Sequence, residues 1–409
     1  MRRDIRNLRL GLEDQLAAEY RSIPFEVPGG TPSLEVRLAY DRSAAVIDLG
    51  CEAPDGWRGW SGGAREWFRI GTDEATPGYL PGPLEPGQWR VQLGLHRMPV
   101  QPVEVTVTIT MPAESALEAE PAAAVRVGAV RGSARHLPAP RGLTWFAGDM
   151  HAHTTHSDGT LSLDQLAARA VQSGLDFLAV TDHNTVSHHS HLGAMGARHG
   201  LALLPGQELT TTRGHANAYG DIGFVDFRRP AGAWVQQVAA RGGLLSINHA
   251  LDRDMCWQHP LTELPPAFEL WHITWFADLT STGPWALWAR WRQDAVLLGG
   301  SDFHRPEQGF PPGTPTTWVA AEECSPEALL AAVAAGRTAI TRSPEPGAPT
   351  LLGVEDDLIA IDADGTVLCD IDGRRRVIAG RRVAVPIAHA GRGPFRLQTP
   401  GGELLAISR

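Results

Sequence analysis

A chain of 409 residues, 43% hydrophobic and 20% charged, has the length for two or three domains and the composition of a globular protein with a sizeable core. Its formal net charge of −10 argues against a general nucleic-acid binder, which needs a basic face, but not against a small anionic substrate held at a metal ion. All 36 basic residues are Arg, which excludes Schiff-base chemistry, a lysine nucleophile and the phosphate-gripping lysine of a P-loop together. The four cysteines, Cys51, Cys256, Cys324 and Cys369, form no CxxC pair and suggest neither a zinc ribbon nor a disulfide framework. The opening MRRDIRNLRLGLEDQL has no apolar run of signal-peptide type, and no stretch of about 18 apolar residues occurs. A cytoplasmic protein with no membrane partner is the expectation.

In chain order, residues 1–125 are expected to form a β-rich, β-sandwich-like accessory domain. LEVRLAYD (34–41), AAVIDLG (44–50), QWRVQLGL (88–95) and VEVTVTITM (103–111) alternate apolar and polar residues, with Pro/Gly-rich turns between them. Residues 126–142, ending in HLPAPRG, read as a linker. From 143 to 345 the pattern becomes strand–loop–helix. TWFAGDMH (144–151), DFLAVTDH (176–183), LALLPGQEL (201–209), LLSINH (244–249), FELWHIT (268–274) and AVLLGGSDFH (295–304) are the strands, followed by a short one at 337–341. Ser162 and Gln165 form a capping box that opens the helix LDQLAARAVQSG, and further helices are expected after TDHN, near 231–241 and 283–294, and at 325–336. Such alternation means an α/β fold with a mainly parallel sheet, open or closed into a barrel. Residues 346–409 read as a small β module.

Thirteen of the 16 histidines lie between 151 and 304, and their placement carries the argument. His151 and His153 follow the first strand of this stretch, with Asp158 in the HSDG turn. His183 ends the second strand, Glu208 ends the third, and His215 comes soon after in GHANAYG. His249 ends LLSINH, and Asp302 and His304 end LLGGSDFH. All nine are expected at or just past the carboxyl ends of strands, the face on which barrels of this kind build their sites. Imidazole and carboxylate suit zinc, iron and manganese, and so many polar ends on a core sheet are costly unless something binds them.

HAHTTHSDG, AVTDHN, GQEL, GHAN, NHA and GSDFH resemble, in order, the motifs of the PHP (polymerase and histidinol phosphatase) superfamily, and the first look like its carbaryl-hydrolase-like branch. The resemblance spans residues 143–342. It implies a distorted (β/α)7 barrel and two to three divalent ions, Mn, Fe or Zn. It further implies one metal on His151, His153, Glu208 and Asp302, a second sharing Glu208 with His215 and His249, and a third on Asp158, His183 and His304. Only residues 216–248, 33 in all, separate His215 from His249, so the long insertion that covers the site in several phosphatases of the superfamily is absent.

The expected function is hydrolysis by a metal-bridging hydroxide, with Glu208, Asp302 and His304 as catalytic residues. A small phosphate ester is the expected substrate and a carboxyl ester or carbamate the alternative; nucleic acid is not expected as a partner. A non-catalytic metal- or sugar-binding protein and a nuclease or proofreading module are the rival classes. His156, Arg213, Arg253 and Arg305 are candidate substrate contacts, the arginines as anion grips. His188, His189 and His191 are expected on a helix surface and His272 in the core. Trp257, Trp271, Trp275, Trp285, Trp288 and Trp291 are expected to pack, some of them near the metals.

Overall fold

The computed structural model describes residues 1–124 and 129–409, so the expected domain boundary at 125 and the start of the expected linker lie outside the described residues. The first part is all β except for one short α-helix, α1 (Leu12–Ala17), and a 3-10 turn at Gly62–Ala64. Strands β1 (Arg2–Leu10), β3 (Ser33–Ala39), β6 (Trp67–Gly71) and β8 (Val103–Met111) form an antiparallel sheet in the order β1-β8-β3-β6. Strands β2 (Tyr20–Val27), β4 (Val46–Ala53), β5 (Gly56–Trp60) and β7 (Gly87–Arg97) form a second in the order β2-β7-β4-β5. The period-two pattern explains the pairing. Val105, Val107 and Ile109 of β8 face Val91, Leu93 and Leu95 of β7 in one buried core shared by both sheets.

The next stretch supplies the large sheet. It runs through β9 (Thr144–Asp149), β10 (Phe177–Val180), β11 (Ala202–Thr211), β12 (Gly214–Tyr219), β13 (Leu244–Ile247), β14 (Ala267–His272), β15 (Val296–Gly300), β16 (Thr316–Ala321) and β17 (Thr338–Thr341). Helices α2 (Leu163–Gln172), α3 (His189–His199), α4 (Ala231–Ala240), α5 (Gly283–Arg290) and α6 (Pro326–Ala334) connect them. At α2 the Ser162 hydroxyl accepts from the Gln165 amide at 3.2 Å, while the Gln165 side chain accepts from the Ser162 amide at 3.1 Å, the expected reciprocal cap. The strand order is β15-β14-β13-β12-β11-β10-β9-β16-β17, continuing into C-terminal strands. The sheet curls: β15 comes back against β16 and β17 through hydroxyls, Thr317 Oγ1 donating to Gly299 O and Thr338 Oγ1 to Leu297 O, at 2.8 and 3.0 Å.

Two strands depart from the parallel pattern read from the sequence. β12 is antiparallel to both β11 and β13, and β16 is antiparallel to β9. Neither was expected as a strand. β12 follows β11 after only two residues, which permits a hairpin and forbids a parallel crossover. The C-terminal residues form strands as expected, yet not a separate module. Strands β18 (Thr350–Val354), β19 (Asp357–Ile361) and β22 (Arg382–Pro386) make a small sheet beside the short helix α7 (Ile387–Ala390). Strands β20 (Val367–Cys369), β21 (Arg375–Val377), β23 (Phe395–Gln398) and β24 (Leu404–Ser408) instead extend the large sheet, with Ile407 opposite Ile340 of β17. This pairing covers an edge whose peptide groups would otherwise be unpaired. Among the described residues, no helix is long and apolar enough to cross a membrane.

Candidate metal centre

One end of the large sheet gathers the nine ligand-type residues. The β9, β10, β13 and β15 carboxyl ends deliver His151 and His153, His183, His249, and Asp302 and His304, as expected of parallel strands. His215 is different: it stands at the start of β12. An antiparallel strand presents its amino end where its parallel neighbours present carboxyl ends, so His215 reaches the same face by the opposite route. Glu208 lies in β11, opposite Asn217 of β12. Asp158 comes from the loop after His153, where Gly159 fits because a Cβ would meet the His153 carbonyl carbon at 2.6 Å. Asp302 and His249 hold left-handed backbones, φ 48° and 28°, a strained state that clusters at functional sites.

Every donor faces another at 2.7–3.6 Å. His151 Nε2 lies 3.1 Å from Glu208 Oε1 and 3.2 Å from Asp302 Oδ1, and His153 Nε2 lies 3.0 Å from the same Asp302 oxygen. His215 Nδ1 and His249 Nε2 approach Glu208 Oε1 at 3.3 and 3.4 Å, while His183 Nδ1 is 2.7 Å from Glu208 Oε2. Asp158 Oδ1 sits 3.4 Å from His183 Nε2 and 3.3 Å from His304 Nε2, and those two nitrogens are 3.4 Å apart. Two ligands of one ion at about 2.1 Å stand about 3.0–3.4 Å apart, so the spacing matches a shared cation.

The unpaired atoms make the same point. Buried His151 Nε2, both nitrogens of His153 and of His249, His215 Nδ1 and Asp302 Oδ1 have no hydrogen-bond partner within the protein. Orphaning so many buried polar atoms in one place is expensive unless a cation takes them. The donor groups that lie close enough to hold an ion are His153 with Asp158, His183 and His304; His151 with Glu208 and His249; His151 with His153 and Asp302; and His183 with Glu208 and His215. The residues therefore fit a group of divalent ions.

Charge is balanced inside the cluster. Burial opposes ionisation of His151, but Asp302, Glu208 and Glu269 raise its pKa well above the ordinary imidazole value. Burial likewise works against the Glu208 carboxylate, yet His151, His215 and His183 hold it well below the usual range. His153 goes the other way, down to about 4, through burial and the neighbouring His304 and His183. The carboxylates thus keep the anionic form a ligand needs, while an imidazole such as His151, whose pKa is raised, would release its proton on binding a cation.

Residues 149–242, which contain HAHTTHSDG, AVTDHN, GQEL and GHAN, match the PHP domain family. This stretch carries a PHP domain. Relatives similar to part of it include the 5'-3' exoribonuclease Rnm of Escherichia coli, 43% identical over 65 residues, which is 15% of this chain and 22% of that protein. Another is the phosphoribosyl 1,2-cyclic phosphate 1,2-diphosphodiesterase of Eggerthella lenta, 34% identical over 62 residues, 15% of this chain and 24% of that one. The chain spans about a quarter or less of the length of these relatives. Among solved structures, a two-domain protein of Bacteroides vulgatus containing a predicted PHP-like metal-dependent phosphoesterase aligns at 17% identity and TM-score 0.40, over 70% of this chain and 92% of that one.

The exoribonucleases overturn one expectation, that nucleic acid has no part as a partner. Net charge summed over the whole chain does not describe one local site, where bound cations would supply the positive charge that a phosphodiester needs.

The candidate substrate contacts divide differently from the ligands. His156 is buried, its Nδ1 2.7 Å from Ser187 Oγ, and it belongs to none of the donor groups; it orders the loop instead of facing a substrate. Arg213 is exposed and donates to Gln258 O at 3.1 Å, while Arg253 and Arg305 are exposed on loops next to His249 and His304. His188 is not on the surface. It is fully buried, with Nε2 3.1 Å from the Val180 and Gly206 carbonyls, because α3 begins under the sheet end. His189 is half-buried and His191 is exposed. His272 is buried as expected but lines the PHP site, its Nε2 3.4 Å from Asp302 Oδ2.

Sequence reading missed the groups that orient the ligands. Glu269 Oε1 is 3.0 Å from His151 Nδ1, and its other oxygen accepts from the His249 amide at 2.8 Å. Gly300 makes room, since a Cβ there would collide with the Glu269 carboxylate. Asn248 Nδ2 donates to Glu208 Oε1 at 2.8 Å. Asp182 accepts from the Thr154 amide and hydroxyl and from Ser157, fixing the loop that carries Asp158. Such partners fix the orientation of a ligand ring and its basicity.

Proposed function

We propose that the chain is a metal-dependent hydrolase of phosphate esters. The carrying observation is Glu208, wholly buried, with one oxygen facing His151, His215 and His249 and the other facing His183 and His153. One carboxylate between two sets of imidazoles is the arrangement of a bridge between two cations. His151, His153 and Asp302 would complete one position, His215 and His249 a second, and Asp158, His183 and His304 a third. Divalent ions bound there supply Lewis-acid stabilisation of a phosphoryl group and acidify water.

What this chain's residues contribute is position. Glu269 holds the His151 ring, Asn248 holds Glu208, and Asp302 and His304, both partly exposed, stand at the open side where a substrate enters. The neutral-ester reading, a carboxyl ester or carbamate, is supported by a largely apolar cavity beside His249 and His272. The test compares protein reconstituted with Mn, Fe or Zn on five substrates: p-nitrophenyl phosphate, bis(p-nitrophenyl) phosphate, a short 5'-phosphorylated RNA, naphthyl acetate and an N-methylcarbamate. A kcat/KM for at least one phosphoester more than tenfold above the neutral esters supports the proposal. Neutral esters exceeding every phosphoester by more than tenfold would sink it.

A further inference from the structure

A cavity of about 190 Å³ opens beside the metal centre, between the ends of β13 and β14 and the helix α5. Two of its walls are site residues. His249, whose Nε2 is 3.4 Å from Glu208, and His272, whose Nε2 is 3.4 Å from Asp302, face the cavity as well as the cluster. A substrate with its phosphoryl group among the nine donors is therefore one side chain away from this space.

We infer that this cavity holds the leaving group of the substrate and selects an uncharged aromatic one, which makes aryl or arylalkyl phosphates the substrate class; the inference rests on the phosphoesterase reading above. Size argues for a single ring, since an apolar cavity of about 150 Å³ takes up benzene. The walls argue for an aromatic: Leu270, Trp275 and Leu287 line it. Charge argues against an anionic tail. Asp252 and Asp278 stand on the lining, and among the described residues no Arg does.

The Trp275 indole, buried at 6% exposure, gives one wall a flat apolar face. Leu251, at 52% exposure, forms part of the same lining, an apolar side chain that a bound ring would cover.

The test uses pairs that differ only in the ring. Benzyl and ethyl phosphate have leaving alcohols of similar acidity, and benzylphosphonate and ethylphosphonate report binding without turnover. On the metal-loaded full chain, benzyl phosphate is expected to exceed ethyl phosphate in kcat/KM by at least tenfold, and benzylphosphonate to bind at least tenfold more tightly by calorimetry. Ala277→Trp, at an exposed position on the lining, fills the cavity and should lower both benzyl-to-ethyl ratios at least tenfold; Leu287→Trp repeats this from another wall. Ratios within threefold of one in the wild type, ratios unmoved by either substitution, or no binding of either phosphonate overturn the inference. If neither ester is hydrolysed while the phosphonate preference is present and is lost on filling, the cavity assignment stands and the phosphoesterase reading falls.

Discussion

Replacing Glu208 by Gln keeps the shape of the side chain and removes the charge. Glu208 is wholly buried and stands within 3.6 Å of five imidazoles, those of His151, His153, His183, His215 and His249. The amide oxygen can still accept from Asn248, which now reaches Oε1 at 2.8 Å. The other end becomes an NH2 group aimed at His183 and His153, where a ligand oxygen stood. Removing one partner from a buried charged pair costs about 3–5 kcal/mol, which at about 1.36 kcal/mol per decade is about 10²–10⁴ in affinity or rate. The expected result is loss of at least one metal equivalent at controlled free Mn, measured by elemental mass spectrometry, with kcat/KM down at least about 10²-fold. Asp158→Asn is the internal standard. Its side chain is 48% exposed, so solvent replaces the lost charge and the fall should be smaller. Glu208→Gln with wild-type stoichiometry and kcat/KM within tenfold of wild type would refute the bridge.

Other consequences follow from the same geometry. Glu269→Gln can satisfy the His249 amide or the His151 ring as before but not both, so metal affinity should fall about 10–100-fold in a chelator competition; a change below twofold would remove Glu269 from the support of the site. Arg65 donates to the carbonyls of Thr155 and Ser157, so Arg65→Ala should cost about 2–3 kcal/mol in urea unfolding and weaken the Asp158 position first; unchanged stability and metal content would contradict that. His188 is buried neutral, its pKa held well below the ordinary value by burial and by His189. The unfolded chain binds a proton there near pH 6.5 that the folded chain refuses, so stability should fall as pH drops below about 6.5. His188→Gln should flatten that loss between pH 7 and 5, and an identical pH slope in both proteins would show that His188 does not contribute. Purified protein should carry two to three equivalents of Mn, Fe or Zn, and a chelator should lower Tm; under half an equivalent after reconstitution would undo the cluster.

The nine ligand-type residues were legible because each sits in a short motif in, at or just past a strand, where local pattern and chemistry coincide. The cap of α2 was legible for the same reason. What escaped was non-local. Nothing in TTWVAA tells that β16 lies antiparallel on β9, or in LLAIS that β24 extends the sheet past β17, because strand order is set by packing between distant segments. His215 was placed on the right face by a wrong route, a strand end of the opposite sense. Glu269 did leave a trace: it is a charge between Phe268 and Leu270 in a strand that is buried throughout, which demands a partner. His188 gave no such sign, since a histidine pair at a helix start reads as solvent-facing until the sheet above it is known.

The β-rich N-terminal residues supply no ligand, yet they hold the ligand loops. Trp57 Nε1 donates to Asn184 O at 3.2 Å, directly after His183, and Thr185 Oγ1 donates to Gly78 O at 2.8 Å. The Gly78 amide donates to Ser187 Oγ at 3.1 Å, and Arg65 grips the loop that leads to Asp158. Glu19 accepts from Thr212 at 2.9 Å, beside the turn into β12 and His215. Trp57 and Trp60 share one apolar core with Leu209, Phe227 and Trp271, so the contact is packed and not merely polar. Gly78 shows how tight it is. At φ +100° it adopts a conformation that favours glycine, and a Cβ would meet His156 O at 2.7 Å and Trp60 O at 2.8 Å. Any side chain there would force the sheet off the loop. Three of the candidate ligands, Asp158, His183 and His215, are therefore positioned from both sides, by the strands and loops that carry them and by the sheet pair that contacts those loops.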